Sequence, residues 1–276
     1  MTLQTLESPS TIRETFNREG FVIFRDLFTQ DHVDLLRGHM DDFFKSVGIM
    51  PGDTDNVRIL GCVRYNPFRW IYSYTPFIEA LKVVMGDDFI FFPESSIMHS
   101  LYSCWHKDTT SLENMGHRIQ LHKEYRIVQV AIYPQENTEK YGGGLSVIPR
   151  SHKMLDAQVK FIPLKQKDYC KCQNINIPDW RKSPSGAPYL IPNKAYDLVM
   201  FDCRLVHSGN SPKLQPILPE NRKYMLSFAC SANNVAAQIY LNCIKTRPEY
   251  NELIKWRWPA EILELSKEFG YKFATL

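Results

Sequence analysis

Helical and extended patterns alternate in the first third of the chain. Apolar residues recur every three or four positions over residues 29–48, which predicts an amphipathic helix that begins at a threonine cap and ends at a glycine. A capping-box pattern that begins at Thr11 predicts a shorter helix upstream, and the apolar run 21–24 predicts a strand between the two. Residues 75–86 begin with Thr-Pro and end with glycine, so a third helix is expected there.

From residue 89 the pattern changes to short apolar or alternating runs, separated by polar, glycine and proline clusters. These runs predict strands at 89–92, 96–105, 126–133, 145–149, 197–206 and 224–231. Regular helical crossovers do not separate them, so an antiparallel sandwich or barrel is favoured. Helical periodicity returns after Asn234 and again at 248–255 and 260–269. The predicted architecture is mainly β with flanking helices (α+β).

A single domain is expected to span residues 1–276, because no linker-like segment and no repeat divides the sequence. Its predicted parts are N-terminal helices over 11–86, a β core over about 89–232 and C-terminal helices over 234–276. A chain of this length can bury about three quarters of its unfolded surface, so no disulfide or structural metal is needed for stability.

Residues 51–75 combine turn-forming residues with many aromatic side chains and show weak periodicity. A segment with so many aromatic rings is costly to leave in water, so it should pack on the core, cover the mouth of an active site, or contact another subunit. We expect an ordered functional loop here.

Composition and charge narrow the classes of protein. Hydrophobic residues make up 44% and charged residues 23% of the sequence, which is typical of a globular chain. A formal net charge of +3 is too small to indicate a nucleic acid or an anionic membrane as partner. The sequence carries no secretory signal pattern and no apolar run of membrane-spanning length. Its seven cysteines are odd in number and scattered, with Cys170 and Cys172 the closest pair, so a cytoplasmic location is expected.

Candidate metal ligands lie in two short segments. In W-H-K-D, side chains of an extended chain alternate, so His106 and Asp108 point the same way while Lys107 points away. His207 closes the predicted strand 197–206. Two imidazoles and one carboxylate, with three positions of an octahedral ion left open, are the ligands of non-haem iron(II) oxygenases. An H-x-D motif alone is weak evidence because it often occurs by chance.

The segments around these residues resemble the phytanoyl-CoA dioxygenase family. The sequence Y-G-G-G-L-S-V-I-P-R-S-H at 141–152 is similar to the glycine-rich turn, short strand and P-x-S-H ending that the family carries between its two metal-binding segments. The opening helix, the G-F-V-I strand and the long second helix resemble the family's N-terminus. D-L-V-M-F-D before His207 and N-R-K-Y-M-L-S-F after it are also similar. The resemblance covers about residues 12–232 and implies a double-stranded β-helix, the cupin-like jelly roll.

The resemblance implies an enzyme that uses iron(II), 2-oxoglutarate as cosubstrate, and dioxygen. It gives His106, Asp108 and His207 as the catalytic iron ligands. It makes Arg222 the partner of the distal carboxylate of 2-oxoglutarate, a role that suits the bidentate guanidinium fork. The turn before Arg222 is longer than in the family, so Lys223 stays open as an alternative.

Three further positions are weaker candidates. His99 lies where some relatives carry a polar contact to 2-oxoglutarate, although a buried core histidine is an alternative. Gln129 lies in the middle of a predicted strand and could face the cofactor or form a cross-strand hydrogen bond. His152 in the P-R-S-H turn is expected to stabilise the turn rather than bind a ligand.

Substrate recognition must come from residues that are not committed to iron and cosubstrate, and loops on a rigid scaffold usually supply it. The aromatic segment 51–75 is the candidate, as a lid that closes over the site. Its arginines would favour an anionic or strongly polar group on the substrate. The candidate substrate-binding residues are Arg64, Tyr65, Arg69, Trp70 and Tyr72.

The implied activity is hydroxylation of an unactivated C–H bond of a small polar metabolite, with release of succinate and carbon dioxide. Fatty acyl-CoA is disfavoured because no basic cluster stands out to bind its phosphates. Natural-product biosynthesis, of an alkaloid or a toxin, is the expected setting. The narrowest suggestion, a hydroxylase of a cylindrospermopsin-type alkaloid, rests on overall resemblance and on no particular residue.

Alternative functions remain open at this point. A catalytically silent jelly-roll binding module is possible, since a fold does not establish an activity. Halogenation, desaturation or oxidative cyclisation could occur at the same iron site. Halogenation requires a small residue in place of the carboxylate ligand, so Asp108 argues against it.

Overall fold

Most of the predicted helices and strands form close to their expected positions. A computed structural model of the protein describes residues 8–49, 56–59, 61–99, 103, 105–110, 112, 116–138, 140–155, 170–172, 175–177, 188–211, 213–214, 222–247, 251, 253–255 and 257–275. The helices are α1 (Pro9–Glu19), α2 (Gln30–Ser46), α3 (Gly61–Arg64), α4 (Thr75–Met85), α5 (Val235–Lys245) and α6 (Ala260–Phe269). The strands are β1 (Phe21–Phe24), β2 (Asn56–Ile59), β3 (Phe89–His99), β4 (Ile127–Ile132), β5 (Leu145–Val147), β6 (Cys170–Cys172), β7 (Ile175–Ile177), β8 (Tyr189–Leu190), β9 (Leu198–Asp202), β10 (His207–Gly209), β11 (Tyr224–Ala232) and β12 (Lys272–Phe273). Short 3₁₀ helices lie at Asn66–Ser73, Ile119–Leu121, Ser151–Lys153 and Leu253–Lys255.

The helix ends follow the capping residues of the sequence. The Thr29 side chain accepts a hydrogen bond from the main chain of His32, and the His32 ring accepts one from the Thr29 main chain, which closes a capping box on α2. The Asn234 side chain caps α5 by accepting a hydrogen bond from the main-chain nitrogen of Ala237. Among the helices that the structure describes, none is both long and apolar enough to cross a membrane.

Two sheets form the β core. The larger has seven strands in the order β1-β9-β4-β11-β3-β12, with β2 also paired to β3. The smaller has the order β10-β5-β8, and β6 pairs with β7. Neighbouring strands are antiparallel, except that β12 runs parallel to β3. The prediction of a mainly β protein with flanking helices is confirmed.

One face of the large sheet, which we call the helix side, is covered by the N-terminal helices. Phe228 of β11 packs there against Phe77 of α4, with ring centroids 5.5 Å apart. Met40 and Phe44 of α2 join the same buried cluster. Each large apolar side chain buried in this way contributes about 1.5–3 kcal/mol, so the cluster fixes the helices on this face.

The opposite face of the large sheet, which we call the cavity side, contacts the small sheet. Phe201 of β9 and Met225 of β11 pack there with Leu145 and Val147 of β5. Side chains alternate along a strand, so Tyr224, next to Met225, lies on the helix side instead. This alternation decides which polar side chains can face the site described below.

The predicted strand 197–206 is wrong at its end, because a turn interrupts it. Asp202 ends β9, and its Oδ1 atom accepts a hydrogen bond of 2.8 Å from the main-chain nitrogen of Arg204. Its carbonyl oxygen accepts a second one, also 2.8 Å, from Leu205. Apolar residues continue through this turn, so the sequence pattern did not reveal it. His207 therefore begins β10 instead of closing a long strand.

The aromatic segment 51–75 is not the loop that its weak periodicity predicts. Within it, β2 pairs with β3, α3 follows, and a 3₁₀ helix covers Asn66–Ser73. Phe68, Ile71 and Tyr72 are buried in the helix-side cluster. Residues 51–55 and 60 lie outside the described residues. Where it is described, the segment therefore adopts the first of its three alternatives, packing on the core.

The C-terminal region also differs from the prediction. The helix expected at 248–255 is a 3₁₀ turn at Leu253–Lys255, and residues 248–250 and 252 lie outside the described residues. After α6 the chain adds the unexpected strand β12 along β3. Trp258 fixes this end by donating a 2.8 Å hydrogen bond from its indole nitrogen to the Ala274 carbonyl oxygen.

Candidate metal centre

Two main-chain hydrogen bonds hold His106 and His207 side by side. The His106 nitrogen donates to the His207 carbonyl oxygen and the His207 nitrogen to the His106 carbonyl oxygen, each over 2.9 Å. This isolated antiparallel bridge places the two imidazole ring centroids 4.3 Å apart. The H-x-D segment is thereby attached to the start of β10.

Asp108 completes the cluster. Its Oδ1 atom lies 3.6 Å from Nε2 of His106 and 3.6 Å from Nε2 of His207. One ligand atom from each of the three side chains lies within 4.8 Å of the others. This is the one group of three or more potential metal ligands found in the part of the chain that the structure describes.

The ring of His207 is oriented for binding through Nε2. Its Nδ1 atom lies 2.9 Å from the Leu205 carbonyl oxygen, an acceptor that fixes the proton on Nδ1. The lone pair of the imidazole therefore lies on Nε2, the atom that faces Asp108. Phe201 packs beside the ring, with centroids 4.7 Å apart, and forms an apolar wall.

Burial and neighbouring charges set the ionisation of the cluster. Burial lowers the pKa of His207 to about 4, and His106 beside it acts in the same direction, so His207 is neutral near pH 7. Burial alone would raise the pKa of Asp108, but the two imidazoles and the charge of Arg247 outweigh it and hold that pKa below its usual value. A neutral imidazole and an ionised carboxylate are the states that bind a metal ion.

The three side chains fit a divalent first-row metal. Imidazole nitrogen and carboxylate oxygen atoms bind such ions at about 2.0–2.2 Å, so two ligands of one ion lie within about 4.4 Å of each other. The two Nε2–Oδ1 distances of 3.6 Å meet this limit. Two histidines and one carboxylate are the donor set of the facial triad, which suits iron(II).

Arg222 and Lys223 lie on opposite sides of the strand that they precede. Arg222 donates a 2.8 Å hydrogen bond to Asp41 of α2 and a 2.7 Å hydrogen bond to the Tyr224 hydroxyl, on the helix side. The Lys223 stem lies against Gly143, where a Cβ atom would come within 2.9 Å of it. Of the two cations, Lys223 is the one placed with the cavity-side residues.

Gln129 and His99 also lie on opposite faces of the large sheet. Gln129 pairs with Phe201 across the ladder of β4 and β9, so the two side chains share the cavity side. His99 is buried on the helix side, where its ring packs 5.0 Å from that of Phe44 and 5.4 Å from that of Tyr224. A contact between Gln129 and the cofactor stays a prediction, which its place on the cavity side favours. The position of His99 favours a buried core histidine instead of a contact to 2-oxoglutarate.

Most of the predicted substrate residues of the aromatic segment have partners on the helix side or on α6. The Tyr72 ring lies on the helix side, 5.6 Å from that of Phe228. Trp70 stacks on His32 at 5.0 Å, and Arg69 forms an ion pair with Glu261 of α6. Tyr65 packs against the Phe43 and Phe68 rings, and Arg64 ends α3 in the same segment. These positions do not favour a lid.

A buried polar group near Asp108 escaped the sequence analysis. Glu94 of β3 accepts a 2.6 Å hydrogen bond from the Tyr240 hydroxyl and a 3.1 Å one from Arg247. The side chains of Glu94 and Arg247 are 8% and 12% exposed. A glutamate inside the apolar run F-I-F-F-P-E was a signal that could have been noticed, because buried carboxylates are rare without a partner.

Comparisons with known proteins identify the family and the fold. The sequence profile of the family described as phytanoyl-CoA dioxygenase (PhyH) matches residues 58–211, which is more than half of the chain. No curated protein sequence matches the chain.

Several solved structures share the fold. EctD from S. alaskensis with bound Fe is 16% identical, with a TM-score of 0.58 over 83% of this chain and 79% of that chain. The epimerase SnoN in complex with Fe³⁺, alpha ketoglutarate and nogalamycin RO is 10% identical, with a TM-score of 0.57 over 81% and 83%. The alpha ketoglutarate dependent carbocyclase SnoK is 13% identical, with a TM-score of 0.57 over 83% and 85%. At these identities the likeness concerns the fold, and it confirms the predicted jelly roll.

Proposed function

This chain belongs to the phytanoyl-CoA dioxygenase family of 2-oxoglutarate-dependent non-haem iron oxygenases, and from that membership we propose that it hydroxylates one unactivated C–H bond of a small polar metabolite. The observation that carries the proposal is the cluster of His106, Asp108 and His207. A complete set of metal ligands also speaks against a silent binding module, and the carboxylate of Asp108 speaks against halogenation.

Iron(II), 2-oxoglutarate and dioxygen are the cofactors and cosubstrates. His106, Asp108 and His207 would hold the iron, and the solved SnoN complex holds Fe³⁺ and alpha ketoglutarate in the same fold. When bound, iron and 2-oxoglutarate supply the oxidising chemistry that inserts an oxygen atom from dioxygen into a C–H bond, with succinate and carbon dioxide as coproducts.

The protein's own residues have three tasks in this proposal. Burial keeps His207 neutral and the Leu205 carbonyl oxygen orients its ring, so its Nε2 atom is ready to bind. Phe201 and the apolar residues of β5 limit the access of water to the cluster. The carboxylate of Asp108 supplies the negative charge that a divalent ion requires.

We propose Lys223 as the cation for the distal carboxylate of 2-oxoglutarate. It shares the cavity side with Met225, which packs in the same cluster as Phe201, and Phe201 contacts His207. Its ammonium group donates a 2.6 Å hydrogen bond to the Glu136 carbonyl oxygen. Lys223 has the charge of Glu136 nearby, but its hydrogen bond is to a main-chain carbonyl, whereas Arg222 is bonded directly to the carboxylate of Asp41.

A visible absorption experiment tests the reaction class. Anaerobic addition of iron(II) and 2-oxoglutarate to the metal-free protein should produce the weak charge-transfer band of an iron–oxoacid chelate. The His106→Ala protein serves as the control and should give no band, because one of three ligands is lost. A wild-type protein that produces neither the band nor succinate would overturn the proposed function.

For the substrate, we propose recognition by Glu94, Tyr240 and Arg247, the buried polar cluster near Asp108. Buried ion pairs seldom add stability relative to apolar residues, so an ion pair whose charge acts on Asp108 suits a role in binding. The charge of Arg247 also acts on Asp108, whose pKa it helps to lower, so a polar or anionic group of a substrate bound beside Asp108 would meet a cation. Among the neighbours, SnoN is an epimerase and SnoK a carbocyclase, so product analysis must show whether this protein hydroxylates its substrate. A cylindrospermopsin-type substrate has no support in the comparisons and is not proposed.

Replacing Arg247 should weaken the stimulation of 2-oxoglutarate turnover by the substrate. With a metabolite panel and succinate release as readout, Arg247→Met should lower substrate-stimulated turnover about tenfold or more, the usual cost of one charged hydrogen bond. The absorption band with iron and 2-oxoglutarate should persist. Arg257→Met, at an exposed position, is the matched control. Equal stimulation in both variants would place substrate recognition elsewhere.

A further inference from the structure

One turn contacts both segments that carry the candidate metal ligands. We call residues 148–154 the bracket turn; it contains the 3₁₀ helix Ser151–Lys153. The Ser151 hydroxyl accepts a 2.8 Å hydrogen bond from the main-chain nitrogen of Val206, the residue before His207. The Lys107 ammonium donates a 2.7 Å hydrogen bond to the Met154 carbonyl oxygen. The bracket turn therefore lies between the H-x-D segment and the start of β10.

Lys107 is an unusual residue for this position. It is 2% exposed, and it lies between His106 and Asp108, so alternation directs it away from the metal cluster. Taking an ammonium group out of water is costly, and an apolar side chain of similar length would avoid that cost. What the ammonium adds is a directed hydrogen bond to a main-chain atom of the bracket turn.

Ser151 has the matching role on the other side. Ser151 is fully buried. Its hydroxyl accepts from the Val206 nitrogen, which lies just before β10 and is not part of that strand's pairing. The Ile148 nitrogen adds a 2.9 Å hydrogen bond to the Val206 carbonyl oxygen. Val206 is thus held from both its nitrogen and its carbonyl, one residue before His207.

The bracket turn is itself fixed to α1. Arg150 forms two hydrogen bonds, of 3.0 and 3.1 Å, with the carboxylate of Glu19. His152 lies 3.2 Å from the Asn17 carbonyl oxygen, which agrees with its predicted structural role. A Cβ atom on Gly20 would lie 2.4 Å from the His152 ring, so this close approach requires glycine. The turn can therefore act as a fixed support.

We propose that Lys107 and Ser151 are positioning residues that set the separation of His106 and Asp108 from His207 through the bracket turn. The inference rests on the proposed metal site. Neither side chain belongs to the group of potential ligands His106, Asp108 and His207. Their effect is on the affinity and geometry of metal binding, because a support that loosens lets the two ligand-bearing segments move apart.

Cobalt(II) titration of the metal-free protein, followed by visible absorption, tests this proposal. Lys107→Met should weaken cobalt binding about tenfold or more and alter the absorption spectrum, as loss of residues that support metal ligands usually does. Lys107→Arg, which can still donate to the Met154 carbonyl oxygen, should restore much of the affinity. Lys153→Met, an exposed lysine in the same turn, is the matched control and should bind as the wild type does.

If Lys107→Met does not fold, Ser151→Ala takes its place in the test. This variant removes the hydrogen bond to the Val206 nitrogen and leaves the Lys107 ammonium in place. Wild-type affinity and spectrum in whichever of these two variants folds would overturn the positioning role, even if its melting temperature falls. If the wild-type protein and its His207→Ala variant bind cobalt equally weakly, the metal site itself is wrong. The two failures are therefore distinguishable.

Discussion

The Asp108→Ala protein is expected to lose 2-oxoglutarate turnover by at least about a thousandfold, since a catalytic metal contributes several kcal/mol of transition-state stabilisation. Asp108 lies 3.6 Å from both imidazole Nε2 atoms, so its removal takes away the only negative charge within the cluster. Succinate formation at saturating iron(II) and 2-oxoglutarate is the measurement. A chelator added to the wild-type protein should reproduce the loss.

Folding of the variant must be shown separately. The Asp108 side chain is 25% exposed, and its lowered pKa means that folding favours the carboxylate, so alanine should lower the melting temperature of the metal-free protein without unfolding it. Asp87→Ala, an exposed carboxylate outside the site, is the matched control and should retain turnover. Wild-type succinate formation in well-folded Asp108→Ala protein would disprove the assignment of this residue as a ligand.

The Lys223→Ala protein is expected to need tens to thousands of times more 2-oxoglutarate. Loss of one partner of a buried charge pair costs about 2–5 kcal/mol, which corresponds to that range. Arg222→Ala should instead lower the melting temperature, because Arg222 joins Asp41 of α2 to Tyr224 of β11, and should leave the KM for 2-oxoglutarate nearly unchanged. The reverse result would restore the original assignment of Arg222.

The pH dependence of the same KM provides a second readout. Burial lowers the pKa of Lys223 to about 8, and the charge of Arg37 acts in the same direction. The ammonium form is therefore present below that pH and is lost as the pH rises through it. The KM for 2-oxoglutarate should rise above about pH 8 in the wild-type protein and stay flat there in Lys223→Arg, since a guanidinium remains charged.

The sequence pointed to the three side chains that lie together in the cluster, but it could not show which face of the sheet each residue of a strand occupies. His106 and Asp108 could be placed together because alternation in an extended segment is independent of tertiary structure. The choice between Arg222 and Lys223 depends on the register of β11, which is set by its pairing with β3 and β4. A difference of one residue moves a cation from the cavity side to the helix side.

Distant pairing explains the other differences. The aromatic rings near Tyr72 find partners on β3, β11 and β12, which are remote in sequence, so their periodicity could not show whether they form a lid or a core. Arg247 reaches Glu94 across more than a hundred residues of sequence. Contacts of this kind require the folded sheet and leave little trace in local patterns.

The outer edge of β3 is covered in two pieces, by β2 along Asn56–Ile59 and by β12 at Lys272–Phe273. An uncovered edge strand offers unpaired main-chain groups to another chain and promotes aggregation. By pairing with β3, the two short strands satisfy main-chain groups that this edge would otherwise offer to another chain. A truncation that removes residues 272–273 would uncover the part of this edge at Ile90–Phe91 and is expected to lower the solubility of the protein.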